Sequence, residues 1–196
     1  MRMTTALPFM LAAIVTVLQC SASIAASSKP SKKWEMLTAC QYVTDKNNDG
    51  DSFRVRCGEQ EFVLRLYFVD APEAHMRDME RLRKQSEHFG VGIEQTQKGG
   101  LRAGEAVREA LKGSFSVWTR KAIAGGRGKD PRYYGLVEVD GKNLIELLVS
   151  NGLARIKGVK PNLPTGEKAK AYVERLNALE AEARKQGLGV WAAPAK

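Results

Sequence analysis

Histidine and cysteine are scarce in this chain. Of 196 residues two are histidine, His75 and His88, and three are cysteine. With no close Cys/His spacing among them, a structural zinc centre is not expected. No internal repeat is evident, so a stacked-repeat architecture is excluded. Long apolar runs are lacking as well. The longest, Ala6 to Leu18, is too short to read as a membrane span. Acidic charge is in deficit, with 22 Asp+Glu against 31 Lys+Arg and a net charge of +9. A strongly basic chain suits a polyanionic partner, nucleic acid being the simplest.

Arg2, the apolar stretch and Ser23-Ile24-Ala25 together read as a secretory signal over residues 1–25, with cleavage after Ala25. Leu18-Gln19-Cys20 loosely matches a lipoprotein site, but Gln19 is larger than the small residue such a site needs. Export without a lipid is therefore expected, to the periplasm or the medium. Removal of residues 1–25 leaves 171 residues and lowers the charge to +8, since Arg2 is the only charge lost. That length is enough for one domain with its own core. The expected organisation is a mobile basic leader at 26–34, a domain at 35–192 and a tail at 193–196.

Within the domain, Met36 to Val43 reads as a first strand. Asn47-Asn48-Asp49-Gly50 is a turn signal. Phe53, Val55 and Cys57 then alternate with Arg54 and Arg56, the period of a half-buried strand. Cys40 and Cys57 fall nearly opposite each other about this turn, a pair that outside the cytoplasm can form a disulfide. An apolar run follows from Phe62 to Val69, interrupted only by Arg65, so that a third strand over 61–69 ends at Asp70-Ala71-Pro72-Glu73. A charged surface helix is expected at 75–89 and a second helix at about 94–111, weakened by Gly99-Gly100. Strands at 115–119 and 133–139 flank a basic glycine-rich loop, 124–132. Asn143 caps a short helix, and a long helix runs from Thr165 to about Gln186 with Tyr172, Val173, Leu176, Leu179 and Ala183 on one stripe. The order predicts an α+β, mainly β domain: a five-stranded OB-type barrel with a helix between strands 3 and 4 and C-terminal helices.

Two strand ends in this scheme carry Asp51, Asp70 and Glu73. Brought together, they make an oxygen-rich site suited to a hard divalent cation. Arg65 within an apolar strand needs a partner, since a guanidinium rarely enters such a run alone.

Asp49-Gly50-Asp51-Ser52, followed by Arg65-Leu66-Tyr67-Phe68-Val69-Asp70-Ala71-Pro72-Glu73, resembles the paired motifs of the staphylococcal nuclease (thermonuclease) family. Asp140-Gly141-Lys142, Asn151-Gly152-Leu153-Ala154-Arg155 and Gly187-Leu188-Gly189-Val190-Trp191 extend the likeness through the second half. The resemblance implies an exported calcium-dependent nuclease that hydrolyses DNA and RNA phosphodiester bonds. It implies Ca2+ held by Asp51, Asp70 and the carbonyl of Ala71, Glu73 acting on the attacking water, and Arg65 on the phosphate. The family's second arginine has two candidates here, Arg127 within Gly126-Arg127-Gly128 and Arg132 nearer the strand, because direct alignment on Gly135 puts Tyr134 in its place. Arg132 and Tyr133 are further candidates for substrate contact, with Tyr134 and Trp118 also able to stack bases. A monomer with nucleic acid as its partner is expected. The alternative is an OB-type module that binds nucleic acid without cutting it.

Overall fold

In the computed structural model, residues 33–125 and 130–192 are described. The expected signal at 1–25, residues 26–32 of the leader, Arg127 and the tail at 193–196 lie outside them. Alternation produces the first three strands as expected. β1 (Glu35–Val43) pairs antiparallel with β2 (Ser52–Cys57), and β2 pairs antiparallel with β3 (Gln60–Leu66). Phe53, Val55, Leu64 and Leu66 point into the core, each at most 1% exposed. Burial of each such side chain contributes roughly 1.5–3 kcal/mol. Cys40 and Cys57 are joined by a disulfide across the first hairpin.

The third strand is shorter than its apolar run. Phe68 adopts φ 66°, a left-handed conformation that breaks an extended ladder, so β3 ends at Leu66. The chain resumes as β4 (Val69–Asp70), which pairs antiparallel with β8 (Arg155–Ile156) and sets Asp70 opposite Arg155.

α1 (Met79–Phe89) begins later than the expected residue 75, because Asp78 caps it by accepting from the Arg81 amide. α2 (Ile93–Ala110) runs straight through Gly99-Gly100. The two glycines are points of close approach: a Cβ at Gly99 would lie 2.3 Å from Val190 Cγ1, and one at Gly100 2.5 Å from the Pro72 carbonyl oxygen. Helix α2 thus presses on the backbone that carries Glu73.

β5 (Phe115–Ile123) extends four residues past its expected end at Thr119, and pairs with both β1 and β6 (Arg132–Val139). β6 also pairs in parallel with β3, which closes the ring β3-β2-β1-β5-β6. The domain is therefore α+β, mainly sheet, with the five-stranded OB-type ring read from the sequence. β7 (Lys142–Asn143) leads into α3 (Leu144–Ser150), where Asn143 Oδ1 accepts from the Ile145 amide. α4 (Ala169–Lys185) starts four residues after Thr165, since a turn from Leu163 to Glu167 precedes it. Its Tyr172, Leu176 and Ala183 are buried. Among the described residues, no helix is long and apolar enough to cross a membrane.

Candidate functional site

The turn before β2 aims one aspartate inward and leaves the other as scaffold. Asp49 Oδ1 accepts from the amides of Asp51 and Ser52, at 3.0 and 2.7 Å, in an Asx-type turn. Asp51 is then driven inside, 1% exposed. The β2–β3 register sets Ser52 opposite Arg65, and the Leu66 amide donates to the Asp51 carbonyl at 2.8 Å. Hairpin register therefore places Asp51 beside Arg65.

Arg65 bridges the two aspartates. Its Nη1 lies 2.6 Å from Asp51 Oδ1 and its Nη2 donates to Asp70 Oδ1 at 3.1 Å. The Ala71 amide donates to Asp51 Oδ2 at 2.7 Å, so the two motifs are tied directly. Asp70 is enclosed further. Arg81 Nη2 donates to its Oδ1 at 2.7 Å, while Gln85 Nε2 and Arg155 Nε donate to its Oδ2 at 3.1 and 2.9 Å. Gln85 also donates to the Ala71 carbonyl, at 2.8 Å, and accepts from the Glu73 amide at the same distance. Arg81 Nη1 is paired with Glu73.

These surroundings split the carboxylates. Burial pushes Asp51 well above the usual range, helped by the charges of Asp49 and Asp70 and opposed by Arg65. Burial also raises Glu73; Arg81 opposes that shift, and Asp49, Asp70 and Asp78 add to it. At Asp70 burial is outweighed by Arg81, the Gln85 hydrogen bond and Arg155, which together hold its carboxyl at about 2.

Asp51, Asp70, Ala71, Glu73 and Arg65 are thus brought together. Arg127 lies outside the described residues. Arg132, at the start of β6, is close enough that burial and then the like charge of Arg65 lower its pKa, against the pull of Asp51 and Asp49. Its Nη1 donates to the Gly125 carbonyl at 2.8 Å. Tyr134 pairs with Arg65 across the β3–β6 ladder and its ring stacks on Tyr67 at 4.9 Å. Tyr133 pairs with Leu64 and sits edge-on to Phe62 at 5.5 Å. Trp118 lines a separate cavity of about 900 Å³ beside Leu136, Leu147 and Leu179. Three partners of the cluster, Arg81, Gln85 and Arg155, carry no role in the motif reading. Arg155 closes the Asn151-Gly152-Leu153-Ala154-Arg155 motif and Arg81 belongs to the charged segment that follows Glu73, but nothing local ties either to Asp70.

Among the described residues, no three His, Cys, Asp or Glu side chains form a metal-holding group. The donor set implied for a cation is instead two carboxylates and a carbonyl. Asp51 Oδ1 is buried and accepts no hydrogen bond, although the Arg65 cation stands beside it. It and Asp70 Oδ1 converge on one guanidinium, so the oxygens meet where positive charge is required. Hard oxygen donors around a buried acidic spot fit a calcium-type ion, provided the arginine side chains yield.

The chain matches the family described as staphylococcal nuclease homologue over residues 63–193, and belongs to it. The matched span takes in Arg65, Asp70, Ala71, Glu73 and Arg132, and begins after Asp51. None of the curated proteins compared with the chain matches it.

Proposed function

We propose that the protein is an exported, calcium-dependent nuclease that hydrolyses phosphodiester bonds of DNA and RNA. The observation that carries this reading is the convergence of Asp51, Arg65, Asp70 and Glu73 from two separate motifs onto one spot. A nucleic-acid-binding surface needs basic and stacking groups, and has no use for buried carboxylates held around a single point. The disulfide suits an oxidising compartment and so supports export.

Asp51, Asp70 and the Ala71 carbonyl would hold the ion. When bound, it supplies a fixed positive charge that polarises a phosphoryl oxygen. Glu73, raised above its ordinary value by burial, is suited to take a proton from the attacking water. Arg65 presents two Nη groups to the same spot and would hold the phosphate through charge-assisted bonds that strengthen as negative charge develops. For the second arginine, Arg132 is the candidate with support, because the charges of Arg65 and Asp51 are felt at its guanidinium. The Tyr134–Tyr67 stack in the aligned place favours one competing reading, a module that binds without cutting.

The test is digestion of single- and double-stranded DNA and of RNA by the purified protein, with Glu73→Gln and Arg65→Ala beside it. Cleavage by the wild type, lost by at least about a hundredfold in each variant, is expected. Undiminished cleavage in either variant would overturn the assignment.

A further inference from the structure

Helix α1 delivers a cation of its own to the site. Asp78 caps the helix, and Leu82, Gln85 and Phe89 anchor it in the interior. Arg81 then reaches over the acidic cluster and contacts Asp70 Oδ1 and Glu73 together. The two oxygens of Asp70 differ in what holds them. Oδ2 is fixed by Gln85 and by Arg155, whose side chain is 6% exposed. Among the described residues, Oδ1 is held by Arg65 and Arg81 alone. The Arg81 side chain is 34% exposed, so its guanidinium has water to move into.

We propose that Arg81 is a second resident counter-ion of this site beside Arg65, and that a divalent cation enters by displacing the Arg81 guanidinium from Asp70 Oδ1 and Glu73. The inference rests on the calcium reading above and adds a competitor to it. Arg65 and Arg81 already share Asp70 Oδ1, and a divalent cation added beside them would be repelled by each guanidinium that stayed, so whatever holds Arg81 in place weakens the ion. The exchange is feasible because the Arg81 side chain, 34% exposed, regains water on leaving, while the entering cation takes over the pairing of the buried Asp70 carboxylate. Displacement also frees Glu73 from Arg81, so cation entry and release of the proposed base are one event.

The experiment is calcium titration calorimetry on metal-stripped wild type, Arg81→Met, Arg81→Lys and Arg83→Met. The rise in urea midpoint with calcium is read on the same four proteins. Arg83 lies exposed on the same helix, so its variant removes an equal charge away from the site. Arg81→Met is expected to bind calcium about tenfold tighter than wild type, from the lost repulsion and the lost competing pair, with Arg83→Met within about twofold. Arg81→Lys keeps the charge but cannot fork onto both carboxylates, so its affinity is expected to fall between these limits. It serves as the test should Arg81→Met fail to fold. If wild type binds calcium and the Arg81 variants bind it no tighter, the displacement model is wrong and the calcium reading stands. If no protein in the set binds calcium, both are wrong.

Discussion

Arg155→Met isolates the buried support beneath Asp70. Arg155 is 5% exposed, its Nε donates to Asp70 Oδ2 at 2.9 Å, and its Nη2 lies 2.8 Å from the same oxygen. Its Nη1 also donates to the Lys84 carbonyl at 3.1 Å, pinning the middle of α1. Methionine keeps most of the apolar stem and removes only the charge and its hydrogen bonds. Breaking one side of a buried pair typically costs 3–5 kcal/mol, because the remaining charge stays buried. Here Asp70 retains Arg65, Arg81 and Gln85, which places the expected loss at the low end, about 3 kcal/mol. For a domain of this size that lowers the melting temperature by roughly 6–12 °C. Urea unfolding with the disulfide intact measures it, and Arg175→Met is the reference. Arg175 pairs with Glu146 and Glu167 but is 47% exposed, so its loss should cost at most about 1 kcal/mol. A cost for Arg155→Met no larger than for Arg175→Met would refute the claim that Asp70 is held by a desolvated pair.

Gly100→Ala should displace the Glu73 backbone, because its Cβ would stand 2.7 Å from the Glu73 carbonyl carbon. Cleavage is expected to fall by at least about tenfold while the fold persists, and equal kcat in the variant would contradict that contact. Cys40→Ser with Cys57→Ser opens a bridge spanning 17 residues and should cost about 3 kcal/mol in urea unfolding. A double variant as stable as wild type would show that the bridge contributes nothing.

Acid unfolding of the metal-free protein should separate Asp70 from Glu73, whose shifts run in opposite directions. Asp70, held at about 2 against an ordinary 3.8, stabilises the fold fully above pH 4 and loses about 2 kcal/mol of that as pH falls through 2. Glu73 is shifted upward, so its contribution is present below its ordinary 4.5 and is lost as pH rises through the raised value. Asp70→Asn should lack the loss between pH 4 and 2, and urea midpoints that run parallel for variant and wild type would contradict the assignment.

Local periodicity carried much of the fold. Phe53, Val55 and Cys57 alternate because one face of β2 is buried, and the hairpin register counted outward from the turn sets the disulfide partners opposite each other. The left-handed Phe68 left no such mark, since nothing in an apolar run reveals a positive φ, and the third strand was overextended in consequence. Gly99-Gly100 was legible as a departure from good helix composition but not as a contact surface, because Val190 and Pro72 lie far away in sequence. The site divides in the same way. Asp51, Arg65, Asp70 and Glu73 sit in two short motifs, whereas Arg81, Gln85 and Arg155 reach Asp70 from 11, 15 and 85 residues away. A charged residue on a helix face reads as solvated until the fold supplies its partner. Arg81 is visible in the sequence as one of several arginines in the charged segment that follows Glu73, with nothing local to tie it to Asp70.

Digestion of single- and double-stranded DNA by the purified protein, with calcium and with chelator, beside Glu73→Gln, tests the central claim most directly. Cleavage that requires calcium and disappears in the variant is the expected result. Salt-sensitive binding of the same DNA with no cleavage under either condition would contradict it, and would make the acidic cluster with its arginines a binding site alone.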